Sequence, residues 1–175
     1  MSRTITDTPT ASAIAKNGTT TQTRPLTFVG NGGAIPDGNG SFQDEIVVTE
    51  RFEIADVSIS FNNFVHTWVG DLVVRLCHQE TGTAVDLVRR PGQPQFSSSG
   101  YNNDLNGDYS FTASSTDSFE VAAAENPVIP SGTYTGLQSL SVFRGLPATG
   151  TWQIAISDCS AGDSGSLGSW SLNLH

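Results

Sequence analysis

Short alternations of apolar and polar residues recur along the chain, separated by clusters of Gly, Ser, Thr, Asn and Pro. Val57, Ile59 and Phe61 alternate with Asp56, Ser58 and Ser60, the period of two expected of a half-buried strand. Asn62-Asn63 breaks that run. Leu72, Val74 and Leu76 share one face of a strand over Asp71–Cys77, and Glu80-Thr81-Gly82 turns the chain into a second strand, Thr83–Val88. Trp152, Ile154 and Ile156 point one way from Thr151–Ser157, as do Trp170, Leu172 and Leu174 from Ser169–Leu174. Phe42–Thr49 and Tyr109–Ala113 complete the clear strands. Gly30-Asn31-Gly32-Gly33 and Ile35-Pro36-Asp37-Gly38 read as turns. Phe119–Glu125 is too short for a long amphipathic helix and is followed by Pro127, so it reads as an irregular piece. Strands at this spacing, without helices between them, predict an all-β sandwich or jelly roll of two antiparallel sheets. Its core should include Val57, Ile59, Leu72, Val74, Trp152, Ile154, Trp170 and Leu172.

The 175 residues suit one domain, and the pattern divides them into an extended N-terminal arm, residues 1–27, and a β-sandwich, residues 28–175. The arm has only Ile5 and Ile14 as large aliphatics before Leu26, too few to offset its ordering entropy. Two fates are open to it: a flexible tail, or a strand added to the sheet edge of another copy, giving a head-to-tail homo-oligomer. A long loop runs from Arg89 to about Gly107, a length usual for functional or mobile segments.

Charge narrows the function. The net charge is −9 and Lys16 is the only lysine. Such a surface repels phosphate backbones, so nucleic acid is not an expected partner. No apolar run is long enough to span a membrane. Met1–Thr23 is Thr-rich without the apolar segment of a signal peptide, so the chain is expected either in the cytoplasm or exported without a cleaved leader. Its lysine-poor, Thr-, Ser-, Asn- and Gly-rich composition favours an extracellular location. Cys77 and Cys159 fit no zinc motif. Sequence alone does not fix whether they pair; their strand-end positions favour two free, partly buried thiols.

Gly162-Asp163-Ser164-Gly165 copies most of a serine-protease nucleophile motif. A triad is defined by geometry, however, and these residues suit a tight turn between antiparallel strands. Too little chain follows Ser164 to build a specificity pocket. His66 is expected to make a structural hydrogen bond, so the chain is not expected to be an enzyme. Trp152 and Trp170 read as core anchors, whereas Trp68, in a loop, is the best candidate for an exposed aromatic.

The run His66-Thr67-Trp68-Val69-Gly70-Asp71-Leu72, continuing to Leu76, resembles the signature of the P domain (P/Homo B domain) of subtilisin-like proprotein convertases. Ile35-Pro36-Asp37, Gly82-Thr83, Pro130–Tyr134, Leu140–Gly145, Gly150-Thr151-Trp152 with Asp158, and Gly162–Leu167 with Trp170-Ser171-Leu172 follow in that family's order. The resemblance implies a jelly-roll sandwich that packs against a subtilisin-like protease and supports its folding, here as a free-standing module with neither protease domain nor secretory leader. It also implies that the long loop lies near the Gly70-Asp71-Leu72 turn. Asp71, Asp104 and Asp108 are then the candidate ligands of a Ca2+ ion, which takes carboxylate and carbonyl oxygens. The chain departs from the family at Gln79-Glu80-Thr81, where Ser-Pro is usual, and at Phe111-Thr112-Ala113, where many bacterial relatives carry Phe-x-Asp. The leading expectation is a non-catalytic module for protein–protein interaction or stabilisation. The alternatives are a structural subunit of an extracellular assembly joined through residues 1–27, and a carbohydrate-binding module.

Overall fold

The computed structural model describes residues 24–175. Most of the expected arm, residues 1–23, lies outside the described residues. Ten strands form two facing sheets. One sheet has four strands: β2 (Phe42–Val48), β9 (Gly150–Asp158), β4 (Leu72–His78) and β5 (Thr83–Arg89), in that spatial order and antiparallel throughout. The other runs β1 (Leu26–Ile35), β10 (Gly165–Leu174), β3 (Val57–His66), β6 (Asp104–Thr112). Two short strands, β7 (Val128–Ile129) and β8 (Gly132–Tyr134), lie parallel to β6. The fold is therefore an all-β sandwich, but its six-stranded sheet is mixed rather than purely antiparallel.

The period-two pattern becomes the core directly. Val57, Ile59 and Phe61 of β3, Leu72, Val74 and Leu76 of β4, Trp152, Ile154 and Ile156 of β9, and Trp170, Leu172 and Leu174 of β10 are all buried. Each indole nitrogen finds an acceptor, as a buried donor must: Trp152 Nε1 donates to the Ala148 carbonyl at 3.0 Å, and Trp170 Nε1 to Asp44 Oδ2 at 2.8 Å.

The Asp44 contact explains why the Gly-rich stretch near the start is not a turn. Asp44, on β2, also accepts from Asn31 N at 2.7 Å and Asn31 Nδ2 at 3.2 Å. It thereby ties β1 and β10 to the opposite sheet. A Cβ at position 30 would lie 2.0 Å from Trp170 Nε1 and 2.6 Å from Asp44 Oδ2. Gly30 thus permits a strand to pass over this clasp, and Gly30–Gly33 continues β1, paired with β10.

Phe119–Glu125 also departs from expectation, forming a short helix, α1. Ser118 caps it by accepting from Val121 N. Phe119 anchors it among Tyr109, Phe111 and Tyr134, at ring-centroid distances of 6.1, 5.3 and 5.6 Å. Tertiary packing of one aromatic residue supplies what seven residues of helix propensity lack. Burial pushes the Tyr109 and Tyr134 hydroxyls above the usual phenol range, and they donate to the Ile129 and Pro130 carbonyls.

Truncating Trp152 to Ala empties the centre of the four-stranded sheet's inner face and strands the Ala148 carbonyl. The expected loss is roughly 3–5 kcal/mol, read from urea unfolding; a loss below about 1 kcal/mol is incompatible with this packing.

Candidate functional site

The His66–Leu72 run, Asp158 and the Gly162–Gly165 turn gather at one end of the sandwich. β3 ends at His66, β4 begins at Leu72, β9 ends at Asp158 and β10 begins at Gly165. Strand register fixes these ends together: His66 pairs with Gly165, and Leu72 with Asp158.

His66 and Asp158 are fully buried, with His66 Nε2 3.1 Å from Asp158 Oδ2. The other ring nitrogen, Nδ1, accepts from Trp68 N at 3.1 Å. A nitrogen that accepts carries no proton, so the imidazole proton sits on Nε2 and is donated to Asp158. Asp158 Oδ1 meanwhile accepts from Ser160 N at 3.1 Å. The turn between β9 and β10 is held by Thr67 Oγ1 donating to Asp163 Oδ1 at 2.8 Å and by Gly162 N donating to Asp37 Oδ1 at 2.9 Å. Gly165 lies flat against the His66 ring, where a Cβ would sit 2.5 Å from Cδ2.

This arrangement excludes a catalytic triad built on Ser164 and His66. The fold brings Ser164 next to a His–Asp pair, the residue types of a hydrolytic triad. Both imidazole nitrogens are already engaged, so none is left to take a proton from Ser164. The other histidines of the chain are His78 and His175. His78 is buried at the far end of β4, bonded to Thr81 and to the Thr149 carbonyl. His175 follows β10, with its backbone bonded to Asp56 before β3. Neither reaches Ser164.

The long loop folds back over the Gly70-Asp71-Leu72 turn, as the resemblance implied. Val69 N donates to Asn103 O and Gly70 N to Tyr101 O, both at 2.9 Å, and Tyr101 N donates to Pro91 O at 2.8 Å. Trp68 Nε1 donates to Ser99 O at 2.9 Å. Trp68 is consequently half-buried and does not present the free aromatic face expected of it. Gly70 is required here, because a Cβ would lie 2.4 Å from Ser99 O.

The three candidate calcium ligands are not brought to one point. Asp71 is buried and its Oδ1 lies 3.2 Å from Arg90 Nη2. The same guanidinium donates to Gly70 O and to Ser160 Oγ, each at 3.1 Å. An internal cation thus takes the carboxylate, carbonyl and hydroxyl oxygens a metal would need. Asp104 and Asp108 both lie on β6, four residues and hence about 13 Å apart at a rise of about 3.3 Å per residue. No ion with bonds of about 2.3–2.6 Å touches both. Asp108 Oδ1 instead accepts from Asn63 N at 2.7 Å. Among the described residues no group of three or more His, Cys, Asp or Glu is placed to hold a metal. The residues present do not fit a calcium site built on Asp71, Asp104 and Asp108.

Sequence reasoning did not find Arg90, Ser160 or the partnership of His66 with Asp158. These residues are remote in sequence, and only the pairing of β9 with β4 and of β3 with β10 brings them together. Both cysteines are free, as expected, but only Cys77 is partly buried; Cys159 is exposed. Cys159 N bonds the Asp71 carbonyl, while Cys77 lies six residues further along β4. That separation of about 20 Å rules out a disulfide without refolding.

Two measurements check this end of the molecule. The melting temperature should be the same in millimolar calcium and in EDTA; a calcium-dependent rise would require a site on other residues. Arg90→Met should cost on the order of 3 kcal/mol by leaving Asp71 buried without its cation, and a neutral result would mean that the pair organises nothing.

A sequence model of the Proprotein convertase P-domain matches residues 54–174. No curated protein matches the chain. Among solved structures, a complex of a serine protease and a chaperone from Aeromonas sobria aligns at a TM-score of 0.50 with 16% identity. That alignment covers 86% of this chain and 27% of the other. The serine protease of Aeromonas sobria gives 0.49 and 15%, over 87% and 27%. This chain therefore spans about a quarter of the length of those chains, and at such identities the likeness concerns the fold. The family match runs through well over half of the chain. It takes in the His66–Leu76 signature, the Gly150–Trp152 strand and the closing hairpin, and the chain belongs to the Proprotein convertase P-domain family.

Proposed function

We propose that this P domain is a non-catalytic module that binds a subtilisin-like serine protease and stabilises it. The observation that carries the reading is the family match over residues 54–174, joined to a motif end whose histidine has no nitrogen free for catalysis. The similar Aeromonas sobria chains are a serine protease and a protease–chaperone complex, which favours a protein as the partner. The strand winding is that of a jelly roll, and the site of action is extracellular. Among the described residues no helix is long and apolar enough to cross a membrane. The carbohydrate-binding alternative loses its main support in Trp68, whose indole is tied to the Ser99 carbonyl. Assembly through residues 1–27 turns on residues 1–23, which lie outside the described residues.

The test is to mix the purified chain with subtilisin-like catalytic domains of its source organism, produced without accessory domains. One of them should gain melting temperature and refolding yield in proportion to the chain added. Saturable binding to none of them by calorimetry would refute the proposal. In parallel, the chain alone should not cleave casein, peptides or esters, and Ser164→Ala should leave its stability and its protease binding unchanged. A hydrolytic activity that disappears in Ser164→Ala would overturn the tautomer assignment at His66.

A further inference from the structure

The outer faces of the two sheets are unlike. On the six-stranded sheet, register sets Ser58, Ser60, Ser110, Thr112, Ser171 and Asn173 side by side, hydroxyl and amide groups that water satisfies. On the four-stranded sheet the outer positions of β4, β5 and β9 include Val73, Cys77, Ala84 and Ala155. With Ser157 beside Val73 and Gln153 beside Cys77 on β9, they form a mixed floor of mostly short side chains, and beside it stand Arg75 and Arg89. Arginine is among the residues enriched at protein interfaces, and two of them stand together here.

Arg89 is held by hydrogen bonds to a carboxylate, and Arg75 lies within ion-pair distance of the same group. Between them lies Asp86, buried on the same face. Arg89 Nε donates to Asp86 Oδ2 at 2.7 Å and its Nη2 donates to the same oxygen. Arg75 Nε lies 3.7 Å from Asp86 Oδ1, an oxygen that is buried without a hydrogen-bond partner. The backbone N of Asp86 donates to Gln138 Oε1 at 2.7 Å, fixing the carboxylate's own position. One carboxylate thus hydrogen-bonds the Arg89 guanidinium and lies within ion-pair distance of Arg75, leaving one positive charge uncompensated. The side chains of Arg75 and Arg89 remain 52% and 57% exposed. Among the described residues the Arg75 Nη groups meet no protein acceptor, so their donors face outward. In a chain of net charge −9, this is a local excess of positive charge. At physiological salt the acidic remainder is screened beyond about 8 Å, so the local pair decides what is attracted.

We propose that this face, around Arg75 and Arg89, is the docking surface of the P domain, and that its protein partner presents a carboxylate-bearing segment to the two guanidinium groups. The inference rests on the protein-binding reading above and names the surface for it. The Arg89 fork, already oriented by Asp86, loses less freedom on taking a carboxylate than a free side chain would, and Arg75 adds donors with no acceptor among the described residues. The short floor lets a partner backbone approach closely without displacing long side chains.

The experiment is a titration of the 15N-labelled chain with hexaglutamate, with hexalysine and hexaserine as controls, following backbone amides and arginine Nε–H signals. Saturable shifts are expected at the Nε–H of Arg75 and Arg89 and along β4 and β5. The signal of Arg51, also exposed, should stay still. Arg75→Gln, which leaves the Arg89–Asp86 bonds in place, should weaken binding on the order of tenfold, the size of one lost charge-assisted hydrogen bond; Arg51→Gln should not. No saturable shift at millimolar peptide, a uniform drift of all arginines, or shifts centred elsewhere would each overturn the assignment of this face. Those results leave protease binding to be decided by its own calorimetry. Conversely, localised hexaglutamate shifts without any protease binding would keep the surface and remove the protease as its occupant.

Discussion

The inward faces of β3, β10, β4 and β9 have to be apolar and closely packed, since side chains between the sheets are what hold the two layers together. Apart from irregularities at Asn62-Asn63 and Gly168-Ser169, alternate residues of these four strands are committed to that layer, from Val57 to Leu174. Two tryptophans fill it, and both carry a donor that cannot be left unpaired in a dry interior. The structure resolves this locally for Trp152, through the Ala148 carbonyl. For Trp170 it reaches across to Asp44 of the other sheet. The second solution does more than satisfy a donor. It brings a carboxylate to the edge where β1 and β2 meet, and it dictates a glycine at position 30.

At the motif end the problem is the reverse, because polar groups must be buried where strands stop and chain reversals begin. His66, Asp71 and Asp158 are buried, and an unpaired charge there would be costly. They are satisfied as two linked sets. His66 donates its Nε2–H as a hydrogen bond to Asp158 and accepts a backbone N–H at Nδ1. Asp71 has Arg90, which also bonds the hydroxyl of Ser160 in the turn after β9. Because Ser160 N caps Asp158 as well, the two sets share one residue. The long loop is thereby tied to the closing hairpin through side chains, without a metal ligand set among the candidate residues.

The parts legible in the sequence are those written in local periodicity. All eight of the core residues expected from alternation are buried, and Phe64 resumes the inward phase of β3 after the Asn62-Asn63 irregularity, where its pairing with β6 shifts register. What was not legible depends on partners far away along the chain. Gly30–Gly33 looks like a turn until Trp170 and Asp44 are placed beside it. Phe119–Glu125 looks too short for a helix until Tyr109, Phe111 and Tyr134 surround Phe119. Asp104 and Asp108 look like a calcium loop until β6 is seen to begin at Asp104, which straightens the chain and sets the two carboxylates apart. Trp68 looks exposed until the loop ending near Tyr101 closes over it.

The family signature can now be weighed residue by residue for what it constrains. Gly70 and Gly165 are there because neighbouring atoms leave no room for a Cβ. Thr67 and Asp163 bond each other, Asp37 bonds the Gly162 amide, and His66 bonds Asp158. The polar groups of the signature are largely consumed within the domain, so these residues secure the fold and leave little with which to recognise a partner. A domain that shares the signature can therefore share its architecture while binding something different. Recognition has to fall on side chains that keep unused donors at the surface, whether within the signature run or outside it. Arg75 meets that description: it occupies the outward phase of β4, between the inward residues Val74 and Leu76 that the fold requires. Arg89 stands near it on β5, bonded to the buried carboxylate of Asp86, which lies opposite Arg75 in the sheet. The same alternation that gives the core its residues gives this surface its own, and the two can change independently.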